Sequence, residues 1–182
     1  MGADSGPDPD AAARLIGEAL AAIYRRADAA MRDLPIYNPA LDVAALGFRD
    51  VDGAALGVVV TPWFMNLVRV PPRGVVAPPP GTVVPRALPV GVLDFTIGVL
   101  DDVAIESCSL VSPMHDFVDQ QQAESTALAA LAVVLTPAEQ AGPSFMSAGA
   151  AEQAGSGEPI AHAAPSLDRR RFLRGALTER RP

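Results

Sequence analysis

Leu41-Asp42-Val43-Ala44-Ala45-Leu46-Gly47-Phe48-Arg49, then Asp50-Val51-Asp52-Gly53, then Ala54-Ala55-Leu56-Gly57-Val58-Val59-Val60-Thr61: this stretch decides the fold. Two apolar runs are separated by a segment ending in Asp-Gly. Asp and Gly both accept positive φ, which a tight hairpin turn requires. Residues 41–49 are therefore expected as a strand, 50–53 as the turn and 55–61 as the returning strand. The unbroken Val58-Val59-Val60 run asks for burial on both faces of the sheet. Pro62 has no N–H and ends the pairing, so residues 64–70 are expected to resume it.

Upstream, Ile16, Leu20, Ile23, Ala27 and Leu34 recur at helical spacing across residues 11–34. Asp10 is the expected N-cap and Pro35 the stop. Downstream, residues 71–89 are rich in proline and glycine and read as an irregular loop. Residues 90–98 and 103–112 read as strands around a turn at Asp101-Asp102. Residues 115–135 carry a helical stripe of Phe117, Leu128, Leu131 and Leu135, with Ser112 as cap and Pro113 in the first turn. Helix, strands, helix is an α+β order. The expected fold is α+β: a mainly antiparallel sheet packed with an N-terminal helix and a helix from the C-terminal half. The expected organisation is a disordered lead (1–10), an α+β domain (11–137), a flexible linker (138–165) and a short basic terminal helix or tail (166–182).

Apolar residues make up 49% of the 182, so a core can form, but aromatics are only 5%, so Ala, Val and Leu must fill it. One cysteine, Cys108, excludes an internal disulfide and a cysteine-built metal site, and fits a reducing compartment. No apolar run reaches membrane-spanning length, and residues 1–10 lack the basic and apolar regions of a signal peptide. The expectation is a cytoplasmic protein with no stable membrane insertion. Its charge is uneven. Six arginines against Asp168 and Glu179 give residues 166–182 a net +4, while eight arginines against nineteen acids give residues 1–165 a net −11. An acidic body argues against nucleic acid as a partner.

Three segments carry a signal. The first is Thr61-Pro62-Trp63-Phe64-Met65-Asn66, with the only tryptophan. Aromatics and methionine at a strand break suit an adaptable peptide site, but they equally suit the core of an aromatic-poor protein. The second is Ser109-Leu110-Val111-Ser112-Pro113-Met114-His115-Asp116-Phe117-Val118-Asp119-Gln120. His115 with Asp119 supplies two metal ligands at most, where a stable site uses three or four; the acids also suit a helix N-terminus. No second histidine falls in an ordered neighbourhood that would obviously pair with Cys108 as a nucleophile, and a buried strand cysteine is the better reading. No catalytic constellation or cofactor motif is present, so the chain is not expected to be an enzyme or to carry a cofactor. The third is Asp168-Arg169-Arg170-Arg171-Phe172-Leu173-Arg174. It is similar to the twin-arginine export motif through Arg169, Arg170, Phe172, Leu173 and Arg174, but lies at the wrong end of the chain and has no apolar stretch after it. As a plain basic segment it would dock on the acidic body.

Together these stretches, with Asn38-Pro39-Ala40-Leu41, Gly47-Phe48-Arg49 and Leu56-Gly57, resemble the HybE/HupJ family of [NiFe]-hydrogenase assembly proteins. The resemblance runs from about residue 34 to 175 and is most specific at Thr-Pro-Trp-Phe-Met-Asn. It implies a chaperone of a membrane-bound or uptake [NiFe]-hydrogenase. Its partners would be the small-subunit precursor, which bears a twin-arginine signal peptide, and as further candidates the large subunit and other assembly proteins. A receptor for such a peptide needs an apolar groove beside acidic residues. Trp63, Phe64, Met65, Asn66 and Met114 are the candidates for the groove, Asp116 and Asp119 for the charge. Two other readings stay open. One is a scaffold binding the large subunit through a sheet edge, without a role in export; the other is a redox or cofactor-handling maturation protein.

Overall fold

Asp52 and Gly53 both adopt positive φ (51° and 77°), and their turn folds β1 (Ala44–Val51) back on β2 (Ala54–Val60). The computed structural model describes residues 8–138. Thr61 and Phe64 close the next turn, through Thr61 N–H to the Phe64 carbonyl at 2.8 Å, and lead into β3 (Met65–Val70). Asp101 and Asp102, again at positive φ, join β5 (Gly91–Leu100) to β6 (Val103–Val111). With β4 (Val83–Leu88) these make one six-stranded sheet in the order β1-β2-β3-β6-β5-β4, every neighbouring pair antiparallel. Two helices complete the α+β fold, α1 (Pro9–Met31) and α2 (Gln120–Val134).

Each helix covers one face. α2 packs on β2 and β1, over a core that holds Leu56 and Val58 and continues to Leu67, Phe95 and Cys108. α1 packs on β1 and β2 from the other face, over a core that holds Phe48, Ala55 and Val59 and continues to Val68 and Ile105. Successive strand residues point to opposite faces, so Val58, Val59 and Val60 are all fully buried, as their unbroken run requires. On α1 the buried positions Ala13, Gly17, Leu20 and Ala21 follow helical spacing.

A bulge in β1 between Leu46 and Arg49 aims Phe48 inward. Its ring fills the gap between α1 and β2 because both neighbours are glycine. A Cβ on Gly17 would lie 2.7 Å from that ring, and one on Gly57 2.3 Å. The bulge also needs Gly47, whose φ is +63°.

The structure corrects several expected boundaries. α1 starts at Pro9 with Asp8 as cap, and Asp10 instead accepts the Asp50 N–H at 2.8 Å. Helical hydrogen bonding ends at Met31, ahead of Pro35. The expected loop at 71–89 contains β4. Proline is tolerated there because β4 is an edge strand, where Pro85 costs no internal ladder bond. α2 begins at Gln120, not near Pro113, and its cap is Asp119, which accepts the Gln122 N–H at 2.8 Å. Its buried face is Ala123, Thr126, Ala127, Ala130, Leu131 and Val134; Leu128, placed on the inner stripe by spacing, lies at the margin, 48% exposed with its Cδ2 towards Gly47. The expected linker beyond residue 138 and the basic tail lie outside the described residues.

Glu106 is a buried charge that periodicity could not reveal. It is 3% exposed on β6. Arg86 binds it through two hydrogen bonds, at 2.8 and 2.6 Å, and Arg69, its cross-strand partner, through one at 2.9 Å. Burial pushes the Glu106 carboxyl up, but the hydrogen bonds from Arg86 and Arg69 outweigh it and hold the group below its ordinary value. A carboxylate held low in the fold adds stability that is complete above its unfolded pKa of about 4.3. That contribution is lost as pH falls through the lower folded value.

Two outcomes follow for stability. Gly57→Ala should lose about 1–3 kcal/mol in urea denaturation, since Phe48 must leave its rotamer or the backbone must shift. Glu106→Gln should cost about 3 kcal/mol at pH 7, from stranding two arginines. It should also flatten the fall of stability below about pH 4 seen in the parent chain; an unchanged acid limb would exclude the triad as its source.

Candidate partner-binding site

The Asn38-Pro39 turn enters the sheet between two other loops, and Asn38 ties all three together, one through its side chain and one through its backbone. At 8% exposure, its amide nitrogen donates to the carbonyls of Met114 (3.0 Å) and Phe117 (2.8 Å). Its oxygen accepts the Ala40 N–H at 3.0 Å, an Asx turn, and its own N–H donates to the Pro62 carbonyl at 2.8 Å. Both amide hydrogens and the amide oxygen are thus engaged. The Gln120 side chain adds a second tie by accepting the Asp42 N–H at 2.9 Å. Ser112 adds a third by donating to the Trp63 carbonyl at 3.3 Å.

Thr61 shapes the middle loop. Its hydroxyl accepts from the N–H groups of Trp63 and Phe64 and donates to the Phe64 carbonyl. The Trp63 ring then stacks on Tyr37, with centroids 6.3 Å apart, and meets Phe64 edge-on at 5.8 Å; Phe64 meets Tyr24 edge-on at 5.3 Å. Tyr37 is fixed in turn by donating to Asp28 at 2.8 Å. Hydrogen bonds from Arg32 and Tyr37 hold the Asp28 carboxyl below its ordinary value, against the pull of burial. Burial and the Asp28 bond push the Tyr37 phenol up, so it remains a donor.

These contacts separate the predicted residues into two groups. Trp63, Met65 and Met114 are buried, at 5%, 0% and 0% exposure. Phe64 and Asn66 are half-buried, and Asn66 Oδ1 is enclosed without a hydrogen-bond partner. An open groove formed by the Trp63, Phe64 and Met65 side chains is therefore absent in this conformation. Trp63 is occupied by Tyr37 and Phe64, and Met65 and Met114 belong to the core beneath α2. Asp116 and Asp119 are exposed, as are His115, Val118 and Asp42 beside them. Arg169, Arg170, Phe172, Leu173 and Arg174 lie outside the described residues.

The clasp's rim is thus a convergence of residues 38–42 with 114–120. Its exposed acids are Asp42, Asp116 and Asp119, and Val118 is 76% exposed among them. No arginine or lysine occurs in the sequence between Arg86 and Arg169, while on the 38–42 side Arg25 reaches the chain next to Asp42 by donating to the Val43 carbonyl at 3.4 Å. Sequence reasoning missed Asn38 as the node and Asp42 as a rim acid. The Asn-Pro pair signalled a turn, but its partners lie 76 and 79 positions away. Among the described residues no three His, Cys, Asp or Glu gather as metal ligands, and no helix is long and apolar enough to cross a membrane.

Asn38→Ala should cost about 3 kcal/mol, because two buried carbonyls lose their donor. Hydrogen exchange should quicken across residues 112–119 while the first half of α1 keeps its protection. Uniform loosening of the whole fold would contradict a local clasp.

Comparison with known proteins places the chain. A profile of the family described as [NiFe]-hydrogenase assembly, chaperone, HybE matches residues 16–175. The chain is 45% identical over 180 residues to the hydrogenase expression/formation protein HupJ of Bradyrhizobium diazoefficiens, covering 97% of this chain and 98% of that one. It is 43% identical over 130 residues to the hydrogenase expression/formation protein HoxT of Azotobacter vinelandii, covering 69% and 83%. The solution structure of HybE from Escherichia coli shares its fold, with a TM-score of 0.52 over 86% of this chain and 90% of that one at 23% identity. The chain therefore belongs to the HybE family of [NiFe]-hydrogenase assembly chaperones.

Proposed function

We propose that this protein holds the precursor of a hydrogenase small subunit in the cytoplasm by binding its twin-arginine signal peptide, and so delays export until assembly is complete. The large subunit is a second client in this reading. The observation that carries it is the group of exposed acids on the two loops that Asn38 and Gln120 join, Asp42, Asp116 and Asp119, with the exposed Val118 on the same loop as the last two. A signal peptide brings two adjacent positive charges followed by an apolar segment. The carboxylates suit the first and Val118 the second, with opposite charges guiding encounter and register. Trp63, Phe64, Met65, Asn66 and Met114 enter as the residues that hold the rim in place. No bond is made or broken, so the chain acts as a chaperone and not as an enzyme.

A scaffold that adds a partner strand to a sheet edge is less well supported. On β4 Pro85 interrupts the edge donors, and on β1 the Asp50 N–H is taken by Asp10. A redox role would use Cys108, a residue only 2% exposed.

Immobilised protein should retain the small-subunit precursor and fail to retain the same subunit lacking its signal peptide; equal retention of both would contradict the reading. Replacing Asp116 and Asp119 by Asn keeps an N-cap, since Asn caps as well as Asp. Calorimetry with the signal peptide should then give an affinity at least roughly tenfold weaker, with the melting temperature unchanged.

A further inference from the structure

The outer face of α2 is open to solvent. Gln121, Ser125, Ala129 and Ala132 are exposed on it, and Leu128, 48% exposed with its Cδ2 towards Gly47, forms its apolar margin. None of the five is charged, whereas a helix turned to water normally carries charge on its polar face. Acids flank it at one end only: Asp119 caps the helix and Asp116 precedes it, while Glu124 sits in its second turn. The described residues hold fifteen acids against eight arginines, and no arginine lies on or near α2 in sequence.

We infer that residues 166–182 of the same chain cover this face. Charge complementarity is the first reason. Arg169, Arg170, Arg171 and Arg174 form the densest positive stretch of the sequence, and Leu167, Phe172, Leu173 and Leu177 are interleaved with them. The apolar side chains fit over Leu128, Ala129 and Ala132; the arginines fit Asp116, Asp119 and Glu124. Tethering is the second reason. The described chain ends beside the C-terminal end of α2, where the Ala138 N–H donates to the Pro89 carbonyl. Residues 139–165 then supply 27 residues of chain. Their contour of about 90 Å far exceeds the length of the 15-residue helix, about 22 Å. The segment therefore reaches the acidic end of α2 without strain, and its attachment raises its effective concentration there.

The docking does not depend on the client proposed above. A consequence does rest on that reading: the segment and the signal peptide compete for Asp116 and Asp119.

The test uses the full chain with a nitroxide on Ser166→Cys, Cys108 being too buried to label. Backbone amides of residues 116–132 should lose most of their intensity, and those of the β5–β6 turn should keep theirs. Raising salt from about 0.1 M to about 1 M, which shortens the Debye length from about 10 Å to about 3 Å, should restore much of the loss. Unaffected amides at 116–132, or the strongest loss at Asp101 and Asp102, would overturn the inference. So would a loss that appears only when labelled and isotope-enriched chains are mixed, since the occupant would then be a second copy. Each of these failures would leave the pull-down result untouched, so the two ideas fall separately.

Discussion

The Asn38 amide spends both hydrogens on the carbonyls of Met114 and Phe117 and its oxygen on the Ala40 N–H, at a site almost closed to water. An unpaired carbonyl at such a site costs about 1–3 kcal/mol, so these loops hold one another in a single arrangement. The rim acids are exposed because of that arrangement. Met114 and Phe117 turn inward as anchors, which leaves His115, Asp116 and Val118 on the outside of the same loop. Trp63 serves the same end, stacked on Tyr37 and joined to Ser112 through its carbonyl.

The sheet beneath the clasp owes its shape to a close approach. Phe48 sits where two glycines, Gly17 and Gly57, leave room for its ring, so α1 can lie against β2. Both glycines sit inside regular elements, where they weaken the local structure; the packing of Phe48 is what they permit. At the other side of the sheet, Glu106 with Arg69 and Arg86 ties β6 to β3 and to the edge strand β4. The two halves of the molecule are thus secured by different chemistry, apolar wedging on one side and a buried ion triad on the other.

Much of this was legible in the sequence where the signal was local. Asp52-Gly53 and Asp101-Asp102 marked both tight turns because positive φ restricts residue choice. The Val58–Val60 run marked a central strand because only a strand buried on both faces accepts it. Strand β4 was not legible: proline at positions 71, 72, 78, 79, 80, 85 and 89 reads as loop, and only the topology makes Pro85 an edge residue. The start of α2 was misplaced because Ser112-Pro113 mimics a cap and first turn, while the Ser112 hydroxyl is committed to Trp63 and Asp119 does the capping. The site's segments were each visible as motifs. Their convergence, and the inward turn of Trp63, Met65 and Met114, depend on contacts between residues far apart in the chain, which no local pattern encodes.

In the function proposed here the exposed acids of this loop cluster would meet the client through reversible, charge-steered contact. The most direct measurement is native mass spectrometry of complexes purified through this protein from hydrogenase-producing cells. The account predicts a complex holding the small-subunit precursor with its signal peptide still attached. Recovery of this protein alone, or with only the processed small subunit, would contradict it.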